Sequence, residues 1–239
     1  MFGIGFGELD AVVRILHGIA PDNAALVPRF KYMQRMGFPE GVNLGRGVRS
    51  AYGLEEVLKV LLAFELLETG AAPSRVVRMV RTGWPALIPA LAVGWLATHE
   101  RGARPRRLMV CARPGAFREL GDGDDPYAPV AEPLRAVPMD RLVQWLEAFD
   151  EAMPTTAAEV VGGDPPRRLV IDPMRLAGAL RAALPAISAL RAADVDAAYE
   201  ALGEKAFAGA PIAAWTDAAR WMLQEAEEAP EDVPVGEPL

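Results

Sequence analysis

Residues 31–38 read KYMQRMGF: a lysine, a tyrosine and an arginine within five positions, followed by a glycine that can stop a helix. On a helix, side chains three and four apart are neighbours, so Lys31 and Arg35, and Tyr32 and Arg35, share a surface. Arg29 adds a cation just upstream. Downstream, the glycine-rich GVNLGRGVRSAYG (41–53) carries Arg46 and Arg49, and glycine spacing of this kind suits a tight β-hairpin. Such a surface could meet an anion. The alternative is an ordinary helix end with solvated cations, and Tyr32 is open between core packing and a phosphate contact.

Other chemistry-bearing residues have simpler explanations. GIGFG (3–7) follows no strand and lacks the lysine of a phosphate loop, so it reads as a flexible N-terminus. GDGDD (121–125) lacks the downstream glutamate of a calcium loop and reads as an exposed turn. Asp172, before Pro173, suits a helix N-cap. His17 near a helix C-terminus suits a contact with the helix dipole, and His99 has no evident acid or serine partner. Cys111 sits in an apolar run and reads as inert. With one cysteine and two histidines there is little for a His/Cys metal site, and no nucleophile–base–orienter set stands out. No cofactor is expected, and no enzymatic activity.

The elements that must hold the basic residues follow from periodicity. Gly7–Gly18 carries Leu9, Val12, Val13 and Leu16 at helical spacing, and a turn with Asp22 and Asn23 as cap candidates leads to a second helix over Ala24–Met36. Pro28 lies inside that span, so the start can fall near it. Leu54–Thr69 has an apolar stripe at Leu54, Val57, Leu58, Leu61, Leu62 and Leu66 and opens on Glu55 and Glu56. Gly70 ends it, and Pro73–Arg81 begins another. RPRRLMVCA and PPRRLVIDP read as strands, with 122–138 as a loop and a helix at Met139–Ala152. Helices follow at Met174–Ala193, Asp194–Ala206 and Pro211–Glu228, before an acidic tail expected to be disordered.

Composition narrows the function classes. The chain of 239 residues is 51% hydrophobic, enough for a sizeable core. Trp84–Thr98 is too short and too proline-broken to span a membrane, and no signal peptide is read at the N-terminus, so a cytoplasmic protein is expected. The net charge of −7 is uneven. Residues 1–110 carry 14 Lys+Arg against 9 Asp+Glu, and 111–239 carry 11 against 23. A basic N-terminal half can bind a polyanion within an acidic chain, because the local field decides.

Taken in order, residues 6–82 resemble the MerR-type winged helix-turn-helix DNA-binding domain. Lys31, Tyr32, Met33, Gln34, Arg35, Met36, Gly37 and Phe38 occupy the family's recognition-helix pattern without a gap, with Met33 at the second aromatic position. Gly47, Val48, Arg49 and Tyr52 look like the family's wing, with one extra residue between Arg and Tyr. Glu68, Gly70 and Val76 match the pattern of the helix pair that follows. The stretch from Glu8 to Lys31 is longer than in the family, and Pro85 and Pro89 interrupt the place of its long dimerising helix.

The resemblance implies that the second helix enters the major groove of double-stranded DNA. Arg29, Lys31, Tyr32 and Arg35 would read or grip the groove, and Arg46 and Arg49 the flanks. The expected fold is mainly α with a small β component. A winged helix-turn-helix covers 1–83, a proline-interrupted connecting helix 84–103, an acidic α+β domain 104–223 and an acidic tail 224–239. The expected function is sequence-specific transcriptional regulation by a homodimer, with the C-terminal domain dimerising, sensing or binding a protein partner. The alternatives are a phage-type DNA packaging or recombination accessory protein, and a winged-helix protein-interaction module without DNA binding.

Overall fold

Four helices build the first half of the chain: α1 (Phe6–Leu16), α2 (Leu26–Arg35), α3 (Leu54–Glu68) and α4 (Pro73–Ala97). The second half supplies β1 (Leu108–Ala112), β2 (Leu134–Pro138), α5 (Leu142–Glu147), β3 (Leu169–Ile171), α6 (Pro173–Ile187) and α7 (Ala192–Ala206). The computed structural model describes residues 2–42, 51–99, 107–112, 133–147, 169–208, 210–215 and 217–219. The protein is mostly helical, with one three-stranded antiparallel sheet of order β2–β1–β3. The expected acidic tail at 224–239 and the GDGDD turn lie outside the described residues.

The helix ends follow the sequence signals. Gly18, Gly37 and Gly70 each stop a helix with a positive φ (61°, 70° and 87°), a conformation that glycine takes without a Cβ penalty. Asp172 caps α6, its Oδ1 accepting from the Met174 and Arg175 backbone N–H groups at 3.0 and 3.4 Å. The expected stripe on α3 is buried, together with Val60, Ala63, Phe64 and Leu67, so this helix is enclosed on nearly every side.

Three sequence expectations are corrected. Residues 134–138, read as the end of a loop, form β2 and pair with β1 in the register Val110↔Ala136. The N-terminus is held: Ile4 is 2% exposed and exchanges two backbone hydrogen bonds with Tyr52, at 3.0 and 2.8 Å. α4 is one 25-residue helix that runs through Pro85 and Pro89. Each proline removes an N–H and orphans the carbonyl four residues back. Arg81 and Pro85, whose carbonyls are affected, are exposed residues, while Leu87, Ile88, Leu91, Val93 and Trp95 are buried.

α4 is the centre of the molecule, packing on α2, α3, α6, α7, β1 and β2. A Cβ at Gly83 would stand 2.9 Å from Leu134 Cβ, and one at Gly94 would stand 2.6–2.9 Å from the start of α6. Glycine at these two positions lets β2 and α6 approach. The boundary expected between residues 83 and 84 falls inside this helix, at two buried residues, and a single hydrophobic cluster includes Ile4 at one end and Ala219 at the other. The second face of the sheet carries a small cluster of Met109, Cys111 and Val137 backed by Leu142 and Trp145. α4 is long and apolar enough to cross a membrane, but 67% of its most apolar window is buried inside the fold.

Candidate nucleic-acid interface

α2 is mounted by one apolar edge. Leu26, Phe30 and Met33, at spacings of four and three, are all 2% exposed or less. Phe30 inserts between Phe6 of α1, edge-on at 5.4 Å, and Phe64 of α3, at 4.9 Å. Neither Asp22 nor Asn23 caps α2, whose N-cap is Ala25 without a side-chain cap; Asn23 Oδ1 accepts the Ala25 backbone N–H at 2.9 Å in the turn ahead of the helix. Beyond it, Arg81 Nη2 of α4 donates to the carbonyls of Met36 and Gly37 at 2.7 and 2.9 Å, satisfying groups that a helix end leaves unpaired. Gln34 Nε2 donates to the Tyr52 hydroxyl at 3.0 Å, joining α2 to the chain that follows residues 43–50.

The opposite face of α2 is open. Pro28, Arg29, Lys31, Tyr32 and Arg35 are all exposed, and they fall within one arc facing away from the core. Tyr32 is 45% exposed, which removes core packing as its role. The structure therefore brings four of the six sequence-selected residues together: Arg29, Lys31, Tyr32 and Arg35. Arg46 and Arg49 lie outside the described residues.

The electrostatic setting favours an anion. Between residues 23 and 54 the only acidic residue is Glu40, against five cations. Glu40 is bonded to Arg81 and lies 3.3 Å from Lys59. Burial opposes its ionisation, but the Arg81 hydrogen bond and the Lys59 charge outweigh that and hold its carboxyl below the ordinary glutamate range. Its negative charge is thus balanced by cations of α3 and α4.

Sequence reading missed the network behind this. Lys59, 7% exposed in the middle of α3, lies between Glu40 and Glu55, 3.2 Å from the latter, with its ammonium 5.1 Å from the centre of the Trp84 ring. Glu55 also accepts from Trp84 Nε1 at 2.8 Å and Lys205 Nζ of α7 at 2.7 Å. A buried ammonium needs such partners, because desolvation would otherwise neutralise it. The only signal was a lysine interrupting the apolar face of α3, which periodicity alone reads as a solvated position.

Glu55 is depressed like Glu40: burial acts upward, and hydrogen bonds from Lys205, Lys59 and Trp84 outweigh it. Folded values below the ordinary 4.5 mean that both carboxylates stabilise the fold above that pH. The stabilisation is lost as pH falls through the lowered values. Lys59→Met is expected to flatten the decline of Tm between about pH 5 and 3. Parallel curves for the two proteins would contradict the network's role.

No protein-family model, curated protein or solved structure matches this chain.

The remaining candidates resolve locally. Cys111 is fully buried, and desolvation pushes its thiol up to about 12, with the Arg135 charge pulling weakly the other way. His17, at the end of α1, has its side chain turned inward, 5.9 Å from the Phe64 ring and with Nδ1 3.8 Å from Glu65 Oε1. Burial lowers its pKa against the opposing charges of Glu65 and Glu68. His99 does have an acid partner, Asp196 Oδ1, at 3.6 Å. That carboxylate is already held by Arg181 Nε and Nη2, at 2.8 and 2.9 Å, and by Trp95 Nε1 at 3.0 Å. The adjacent Thr98 hydroxyl donates to the Trp95 carbonyl at 2.7 Å, so the trio caps the end of α4 rather than arming a nucleophile. Among the described residues no group of three His, Cys, Asp or Glu could hold a metal ion.

Proposed function

We propose that this protein is a sequence-specific double-stranded DNA-binding transcriptional regulator, with a MerR-type winged helix-turn-helix at its N-terminal end. The observation that carries the reading is the outward face of α2, with three cations, a tyrosine and no acid over a helix whose C-terminal end is held by Arg81. A major groove about 12 Å wide admits such a helix. Arg29 and Arg35 meet base edges, while Lys31 and the Tyr32 hydroxyl hold phosphates. Arg46 and Arg49, in the wing, grip the flanking backbone. One ten-residue helix contacts too little DNA for tight specific binding, so the working form is a homodimer on two half-sites. The acidic C-terminal half supplies dimerisation, sensing or a protein partner, and the protein acts in the cytoplasm.

The test is a polarisation titration of a random-sequence duplex at two salt concentrations. Lys31, Arg46 and Arg49 on three phosphates give a slope of log K against log salt near about −2.7 per chain. A flat dependence, or no binding at low salt, removes the DNA reading and favours a protein-interaction module.

A further inference from the structure

We infer that the base-reading face of α2 selects guanine, and that the cognate half-site presents two guanines to it in the major groove. This rests on the reading that α2 enters that groove. It comes from an inventory of donors and acceptors on the helix. Arg29, Lys31 and Arg35 offer donors alone, and Pro28 offers neither. Tyr32 has the only hydroxyl on the face, and its role is at the backbone. Reading adenine or cytosine takes an acceptor for an exocyclic amine, usually a side-chain amide or a carboxylate. The face has neither. Gln34, the one amide on α2, is partly buried and donates to the Tyr52 hydroxyl. Asn23 is occupied with the Ala25 N–H, and Glu40 with Arg81 and Lys59.

A face of donors complements a base edge of acceptors. Guanine alone presents two adjacent acceptors in the major groove, O6 and N7, which match the fork of a guanidinium. Adenine pairs its N7 with an amine, which repels a second donor. Arg29 and Arg35 are six residues apart, about 9 Å along the helix. At about 3.4 Å per base pair, that distance reaches guanines two to three steps apart. Tyr32 lies between them, one helical step from each.

The experiment uses the full chain and duplexes selected by it from a random pool, resynthesised in three forms: unmodified, with 7-deazaguanine, and with 7-deazaadenine. The expected result is an affinity loss of about tenfold or more with 7-deazaguanine and less than about twofold with 7-deazaadenine. The double variant Arg29→Ala/Arg35→Ala should bind the unmodified and 7-deazaguanine forms with nearly equal affinity, and Arg35→Ala alone should keep about half of the wild-type discrimination on a logarithmic scale. Equal binding of all three forms by the wild type overturns guanine selection while leaving DNA binding in place. A larger loss with 7-deazaadenine also overturns it. If no duplex is selected or bound even at low salt, the groove reading itself fails, and this inference with it.

Discussion

Replacing Arg29, Lys31 and Arg35 together by alanine is expected to weaken duplex binding by about 10³-fold while leaving the fold intact. Each arginine lost from a base edge costs about 1–3 kcal/mol, and the lost lysine adds to this, for a total near 4 kcal/mol. The slope of log K against log salt should become shallower by about 0.9, because one phosphate contact goes with Lys31. Stability should change by less than about 0.5 kcal/mol, since all three side chains point to solvent and none contributes to the core. Arg175→Ala serves as the control: this arginine is 85% exposed on α6 and near Asp172, and its loss should leave DNA affinity unchanged. Unchanged affinity for the triple variant would remove α2 from the interface.

The largest effect on the fold is expected from Phe64→Ala. Phe64 is fully buried on α3 and packs on Phe30 of α2 and on His17. Truncating a buried aromatic side chain to alanine costs about 3–5 kcal/mol through lost burial and the cavity left behind. Against a total stability of about 5–15 kcal/mol, that is a large fraction. The cavity would also open beneath Phe30, the residue that seats α2. The variant should therefore bind duplex more weakly than its folded fraction accounts for, as checked by urea unfolding alongside titration. A loss under about 1 kcal/mol would show that the aromatic stack is not what holds α2.

Much of this arrangement was legible because it rests on short-range rules. The apolar spacing of α1 and α3, the glycine stops at 18, 37 and 70, and the Asp172 cap depend on residues within a turn or two of each other. So did the outward cations of α2, since Leu26, Phe30 and Met33 define its buried edge. What was not legible depends on contacts distant in sequence. β2 is a strand because β1 pairs with it, and nothing in LRAVP competes with the surrounding proline- and glycine-rich run. α4 continues past two prolines because its other side is enclosed by the sheet, α6 and α7, and this burial offsets a penalty of about 3 kcal/mol for each proline. Lys59 finds Glu40 across nineteen residues of sequence, a pairing no periodicity can announce.

The network also shows why a chain of net charge −7 can present a cationic helix. Glu40, Glu55 and Asp196 are each matched to Arg or Lys partners. The cations of α2 are exposed, with no acid on their own helix.

The most direct test of the central claim is site-specific photocross-linking to duplex DNA from position 32. With p-benzoylphenylalanine in place of Tyr32, ultraviolet light is expected to cross-link the protein to a labelled duplex. The same photoreactive residue at Ile15 of α1 or Val143 of α5, exposed at 54% and 64%, should give none. Cross-linking from Ile15 or Val143 with none from position 32 would contradict the account.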